Sequence, residues 1–312
     1  MPPDLALQPG FPPGMRVVER GWLSSNCIVF DEGDRVSIVD TGYATHVAQT
    51  LELVGQCCRG RPLARILNTH LHSDHVGGNA ALQRQHAGVR VLVPPGLAAA
   101  VDAWDIDALT YAPTGQQCER FRRDGILPPG STIDLGAGSW QIVGAPGHDP
   151  HMVMLFDPAS GILLSADALW EHGFGAIFPE IEGESGFEEQ RAALDAIARL
   201  SPRIVVPGHG RAFTSVGEAL QRARERLDAL ASSPPRNARH VLKVLVKFWL
   251  LQVRTTRDDE LLAHFGAARY ARIVHERYFA ADSFEAMMGR AVAELAAAGA
   301  ARIDGARIDN VD

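Results

Sequence analysis

The sequence predicts a layered α/β protein with sheets packed between helices, followed by a smaller, mostly helical C-terminal part. Two observations carry this reading. Short apolar, β-branched runs come first as a hairpin and then alternate with windows of helical periodicity through residues 1–232. After the boundary Ser232-Ser233-Pro234-Pro235 the strand pattern gives way to helical windows. A third observation points to function: histidine and aspartate recur just past the ends of four predicted strands, where a rigid scaffold places chemistry on loops.

Taken in order, Cys27–Phe30 and Val36–Asp40 flank the turn Asp31-Glu32-Gly33-Asp34 and read as a hairpin closed by Thr41-Gly42. Thr45 to Gln56 carries helical periodicity, and Leu63–Leu67 is a short buried strand. A helix start is expected over Val76 to Leu82, with Ser73 or Asp74 near its N-cap, leading into a helix from about Asn79 to His86. Val89–Val93 is a strand stopped by Pro94-Pro95, and Leu97 to Leu109 reads as helical. Further strands follow at 131–135, 140–143, 152–156, 162–165 and 203–206, with helices at 187–200 and 216–231. Beyond the boundary, residues 238–253, 258–266 and 283–298 read as three helices and 300–308 as a hairpin, a layout similar to a winged-helix module. The expected units are therefore 1–232 and 236–312.

Composition narrows the classes. A chain of 312 residues can bury one large core and one small one. It is 46% hydrophobic and 21% charged, which is ordinary for a globular protein. The formal net charge of -7 speaks against a surface devoted to nucleic acid. Between residues 236 and 280, however, nine basic side chains stand against four acids, which keeps RNA or DNA binding as an alternative. The four cysteines form no C-x-x-C pair, so a reduced, cytoplasmic setting is expected. Met1 to Gly14 is Pro-rich and has neither the basic nor the apolar region of a secretory signal. No uncharged apolar run of about 18 residues exists, so no membrane span is expected.

The densest chemistry lies at Thr69-His70-Leu71-His72-Ser73-Asp74-His75, just after the strand at 63–67. In extended chain His70, His72 and Asp74 share a face, and a turn is expected at His75. Imidazole nitrogen and carboxylate oxygen are the donors zinc prefers. Later strand ends supply His148 in Pro146-Gly147-His148, Asp167 in Ser165-Ala166-Asp167-Ala168, and His209 in Pro207-Gly208-His209-Gly210.

These motifs, in this order and together with Val39-Asp40-Thr41-Gly42, resemble the metallo-β-lactamase superfamily over about residues 16–230. The resemblance implies an αββα sandwich with a two-metal site on one edge. It implies that His70, His72 and His148 hold one metal, that Asp74, His75 and His209 hold the other, and that Asp167 bridges them. Seven N/O donors exceed what one tetrahedral zinc uses, which agrees. Zinc is the first expectation, with iron or manganese as alternatives. The implied chemistry is a water acidified between two metals and attacking a polarised carbonyl, with Asp74 as the proton carrier. Asp40 is expected to orient a ligand histidine.

Other residues carry weaker signals. His151, Trp170, His172 and Phe174, with Phe178, are candidate substrate contacts lining an apolar pocket mouth, each with a structural role as its alternative. Leu97 to Gly125 is the other candidate pocket wall. His46, His86, His240, His264 and His275 lack ligand spacing and read as surface or structural residues. The expected reaction is hydrolysis of a small ester, thioester or lactone. A nuclease acting through the basic C-terminal part and a mono-iron, persulfide dioxygenase-like oxygenase are the alternatives. The partner is a small molecule, and a homo-oligomer is compatible with the sequence.

Overall fold

The computed structural model describes residues 10–312; the first nine residues of the Pro-rich opening segment lie outside the described residues. Six strands form the first sheet in sequential order: β1 (Met15–Val18), β2 (Cys27–Asp31), β3 (Val36–Val39), β4 (Leu63–Leu67), β5 (Arg90–Val93) and β6 (Gly125–Ile126). The second sheet holds β7 (Thr132–Leu135), β8 (Gly138–Gly144), β9 (Val153–Asp157), β10 (Ile162–Ala166) and β11 (Ile204–Pro207), in the order β11-β10-β9-β8-β7.

The two sheets face each other across a core that includes Phe30, Val39, Leu67, Trp140, Leu155 and Leu164. Their outer faces are covered by helices, and strands buried on both faces are mostly apolar, as Val36–Val39 and Ile162–Ala166 are apart from Ser37 and Ser165. The helix Val47–Cys58 packs Leu53, Val54 and Cys57 on the first sheet. The helices Phe187–Leu200 and Val216–Ala231 pack Leu194, Ile197, Ala223 and Leu227 on the second. The order of layers is α, β, β, α, as the sequence predicts.

Strand direction places the functional ends together. β3 and β4 run parallel, as do β10 and β11. β8 and β10 are both antiparallel to β9, so they run the same way as each other. Backbone bonds then tie the sheets at that edge: Val153 N donates to Thr69 O at 2.9 Å, and Asn26 N to Gly208 O at 2.7 Å.

Several expectations are corrected. The turn after β4 comes at Ser73, where a single helical turn Ser73–Val76 begins, and not at His75. Neither Ser73 nor Asp74 caps the helix Asn79–Gln85, whose N-cap is Gly78; the Ser73 hydroxyl instead donates to Gln116 Oε1. Helix over 97–109 shrinks to Ala98–Ala103, since Trp104 turns left-handed and the Asp105 carboxylate caps the Asp107 and Ala108 amides.

The helix expected over 238–253 begins earlier. Pro234 and Pro235 are the first residues of a 20-residue helix, Pro234–Val253, where a missing N–H costs nothing. After it come β12 (Thr255–Arg257), the helices Asp258–Ala267, Arg269–Tyr278 and Phe284–Ala297, then β13 (Ala301–Asp304) and β14 (Arg307–Asn310). That is four helices where three are expected, and the terminal hairpin gains a third strand in the order β12-β14-β13. Ala176, Phe178 and Ile181 join the apolar core of these helices, so the C-terminal part packs against the loop that follows Asp167.

Candidate metal centre

Every predicted ligand sits at the same sheet edge. The loop 68–79 is fixed by its own amides: Asn68 Nδ2 donates to His75 O, Asn79 Nδ2 to Asn68 Oδ1, and Thr41 N to His75 O. Ala166 adopts φ 47°, sparsely populated for a residue with a Cβ, and turns Asp167 off the end of β10. Gly208 lets Asp167 in, because a Cβ at that position would lie 2.2 Å from Asp167 Oδ1.

Three overlapping groups result. His70, His72 and His148 converge; so do His70, His75 and Asp167; and so do Asp74, His75 and His209. Within each, the donor atoms lie within 4.8 Å of one another. Donors about 2.1 Å from a tetrahedral ion are themselves about 3.4 Å apart, so each group needs little adjustment to hold one. His72 Nδ1 lies 2.8 Å from His148 Nε2, and His209 Nε2 lies 3.1 Å from Asp74 Oδ2. Asp167 lies between the groups, with Oδ1 at 3.6 Å from His75 Nε2 and Oδ2 at 3.4 Å from His148 Nε2 and 3.9 Å from His209 Nε2.

Outer contacts fix which nitrogen of the His70, His75 and His148 rings faces inward. Asp40 is buried and accepts from Thr69 N at 2.9 Å, Thr69 Oγ1 at 2.8 Å and His75 Nδ1 at 2.8 Å. The Thr69 hydroxyl, having donated to Asp40, accepts from His70 Nδ1 at 3.1 Å. His148 Nδ1 donates to Ala176 O. The remaining nitrogens, His70 Nε2 and His75 Nε2, are buried with no hydrogen-bond partner. An orphaned buried nitrogen is costly unless something fills the place it faces, and a cation does.

The electrostatics agree. Burial, then His75 and His72, hold His70 well below the usual imidazole range, and burial with His148 brings His72 to about 4. Burial alone would raise Asp74 and Asp167, but the neighbouring histidines, His75 and His209, outweigh it and keep both carboxyls below the ordinary range. Burial would lower His75; the carboxylates Asp40, Asp167 and Asp74 overcome it and raise it well above its usual value. Two carboxylates, Asp74 and Asp167, face the buried donor space and call for positive charge there. The residues present fit divalent metal ions.

The substrate-side expectations divide. Trp170 lines the cavity over the cluster, with Nε1 donating to Asp167 Oδ1 at 3.2 Å, and Phe178 lines it against the His72 and His148 rings. Phe174 is fully buried in the core of the second helix layer and is not a lining residue, because the loop turns its ring inward under Arg226. His172 is 79% exposed beside Glu171, and exposed His151 packs beside Gly96; neither lines the cavity. From the segment 97–125 only Thr114 and Gln116 reach it.

The fold also brings in residues that no local pattern marks. Trp22 stacks on His209 at 5.6 Å. Buried Asp149 approaches His72 Nε2 at 3.8 Å. His240, expected at the surface or in a structural role, lines the cavity with Arg226 and Lys243. Eight of the nine basic residues in the 236–280 region have partners within the chain: Arg239, Lys243, Arg254, Arg257 and Arg269 meet carboxylates, and Lys247, Arg272 and Arg277 meet neutral oxygens. No helix among the described residues is long and apolar enough to cross a membrane.

Comparison with known proteins agrees with this geometry. The chain is 29% identical over 206 residues to the hydroxyacylglutathione hydrolase of Rhodobacter capsulatus, covering 64% of this chain and 69% of that protein. A beta-lactamase domain protein from Burkholderia ambifaria superposes with a TM-score of 0.59 at 19% identity, over 99% of this chain and 97% of that one. The protein TTHA1623, solved in a di-iron-bound form, matches 66% of this chain and 98% of its own with a TM-score of 0.52 at 25% identity. The sequence profile of the metallo-beta-lactamase superfamily matches residues 20–209, and the chain belongs to that superfamily.

Proposed function

We propose that this protein is a dinuclear-metal hydrolase acting on a small carbonyl substrate, an ester, thioester or lactone. The observation that carries the reading is the pair of buried, partnerless nitrogens His70 Nε2 and His75 Nε2 at the centre of the three donor groups. His70, His72 and His148 would hold one ion, Asp74, His75 and His209 the other, and Asp167 would be shared. The N/O donor set favours zinc, and the di-iron relative keeps iron in play. Such ions supply Lewis acidity towards the carbonyl and lower the pKa of water.

The chain supplies the rest. Asp74 lines the cavity with its carboxyl held ionised, suited to accept a proton from the attacking water and return it to the leaving group. Asp40 and Thr69 keep the His75 and His70 rings turned inward. Trp22, Trp170 and Phe178 give the substrate an apolar mouth that limits water. The hydroxyacylglutathione hydrolase relative supports a thioester among the substrates. A cytoplasmic setting, supported by four free cysteines, and a catalytic unit 1–232 with a helical unit 236–312 belong to the same reading.

The test is metal content followed by turnover of lactones, thioesters, esters and single-stranded RNA on one sample. Asp74→Ala and His72→Ala are expected to remain folded, lose metal and lose hydrolysis. Undiminished turnover in either variant would sink the mechanism. Salt-sensitive RNA cleavage would replace it with the nuclease reading.

A further inference from the structure

The cavity over the donor groups does not stop at them. It continues for a total of about 460 Å³ to the helices Pro234–Val253 and Phe284–Ala297. Phe178, Val244, Phe248, Leu251 and Leu295 give it apolar walls, and its far part holds Arg226, Lys243 and Lys247. Two of these cations are engaged. Lys243 pairs with Glu294 at 2.9 Å, and Lys247 donates to Ala300 O, Asn310 Oδ1 and Val311 O.

Arg226 is different. Its Nη2 donates to His240 Nε2 at 2.8 Å and its guanidinium lies 5.2 Å from the centre of the Phe174 ring. Among the described residues no carboxylate comes within 4.0 Å of it. His240 cannot neutralise it, since burial, then Arg226 and Lys243, drive its pKa to about 3 and leave a neutral acceptor. A guanidinium withdrawn from water and lacking a counter-charge is a strong site for a planar anion, which it can grip with two parallel N–H donors.

Its position relative to the donor groups is set by one short loop. A Cβ on Gly173 would lie 2.6 Å from Arg226 Nη1, and a Cβ on Gly175 would lie 2.5 Å from His148 Nδ1. The Cα atoms of these two glycines are at most about 7 Å apart, which puts Arg226 Nη1 no more than about 15 Å from His148 Nδ1. An anion on Arg226 is therefore within reach of a medium-length acyl chain from the donor groups, along an apolar wall.

We propose that Arg226 anchors an anionic end group, carboxylate or phosphate, on a substrate whose scissile carbonyl lies at the histidine–aspartate cluster. This rests on the hydrolase reading above and adds the substrate class: an acyl compound with an apolar middle and a distal negative charge.

The experiment compares two 4-nitrophenyl esters on the metal-loaded full chain, the octanoate and the mono-ester of suberate. They have the same chain length and differ in the distal carboxylate. Wild type is expected to favour the suberate. Arg226→Met is expected to raise KM for the suberate about tenfold with kcat held, to leave the octanoate within about twofold, and to be partly rescued in Arg226→Lys. A third ester ending in phosphate ranks the two anions. Equal effects on suberate and octanoate, or no preference in wild type, would overturn the proposal. Calorimetric titration with free suberate and octanoate needs no turnover. Suberate is expected to bind more tightly than octanoate in wild type and equally in Arg226→Met. If both proteins bind the two acids equally, the anion site is refuted even with hydrolysis intact. If neither ester turns over while the suberate preference persists, the hydrolase reading fails and the anion site stands.

Discussion

Asp40→Asn isolates the outer carboxylate from everything around it. Asp40 sits at φ 60°, a conformation that asparagine also tolerates, and the substitution changes no volume. Oδ1 keeps the Thr69 amide. The new NH2 group, however, faces two donors, Thr69 Oγ1 and His75 Nδ1, each 2.8 Å from the former Oδ2. The threonine hydroxyl can rotate to accept. The imidazole must move its proton to Nε2, which then points N–H, instead of a lone pair, at the donor cluster. Loss of such an outer partner costs roughly 10- to 100-fold in metal affinity, or about 1.4–2.7 kcal/mol. The loss should fall mainly on the group containing His75 and spare the group of His70, His72 and His148. Removing a buried charged acceptor should also cost the metal-free fold about 1–3 kcal/mol. Zinc competition against a chromogenic chelator, with stoichiometry by elemental analysis and Tm without metal, measures both effects. Two zinc ions bound with affinities within about twofold of wild type would refute the orienting role of Asp40.

Two further outcomes follow from single contacts. Gly208→Ala should fold but bind metal poorly, because its Cβ would press on Asp167 Oδ1 at 2.2 Å; full metal content with unchanged Tm would contradict the close approach. His240, with a pKa near 3 in the fold against 6.5 when exposed, binds a proton in the unfolded chain first. Its contribution is complete above pH 6.5 and is lost as pH falls towards 3, with a slope of up to about 1.4 kcal/mol per pH unit. His240→Gln should flatten that part of the stability–pH curve, and an unchanged slope between pH 6 and 4 would show that the ring is not buried neutral.

The sequence was most legible where one short segment holds all the information. His70 to His75 announce a donor cluster because no packed core calls for that density of imidazole and carboxylate. The strand and helix pattern of residues 15–231 was readable because both faces of each sheet are buried, which forces apolar runs. The helix Arg269–Tyr278 escaped notice because its buried side is only Tyr270, Ala271 and Val274 among arginines and a histidine. The helix start expected at Ala238 falls four residues late because proline marks a helix start as readily as a break.

By itself, then, the sequence marked the candidate donor residues and a fold of sheets packed between helices, since ligand type and apolar periodicity are local properties written in consecutive residues. Only the tertiary structure decided which nitrogen of the His75, His70 and His148 rings faces inward, because that depends on hydrogen bonds with Asp40, Thr69 and Ala176, as many as 35 positions away in the chain. It also decided that Arg226, His240 and Trp22 share a cavity with His209. Spatial neighbours brought together by packing leave no spacing in the sequence to read.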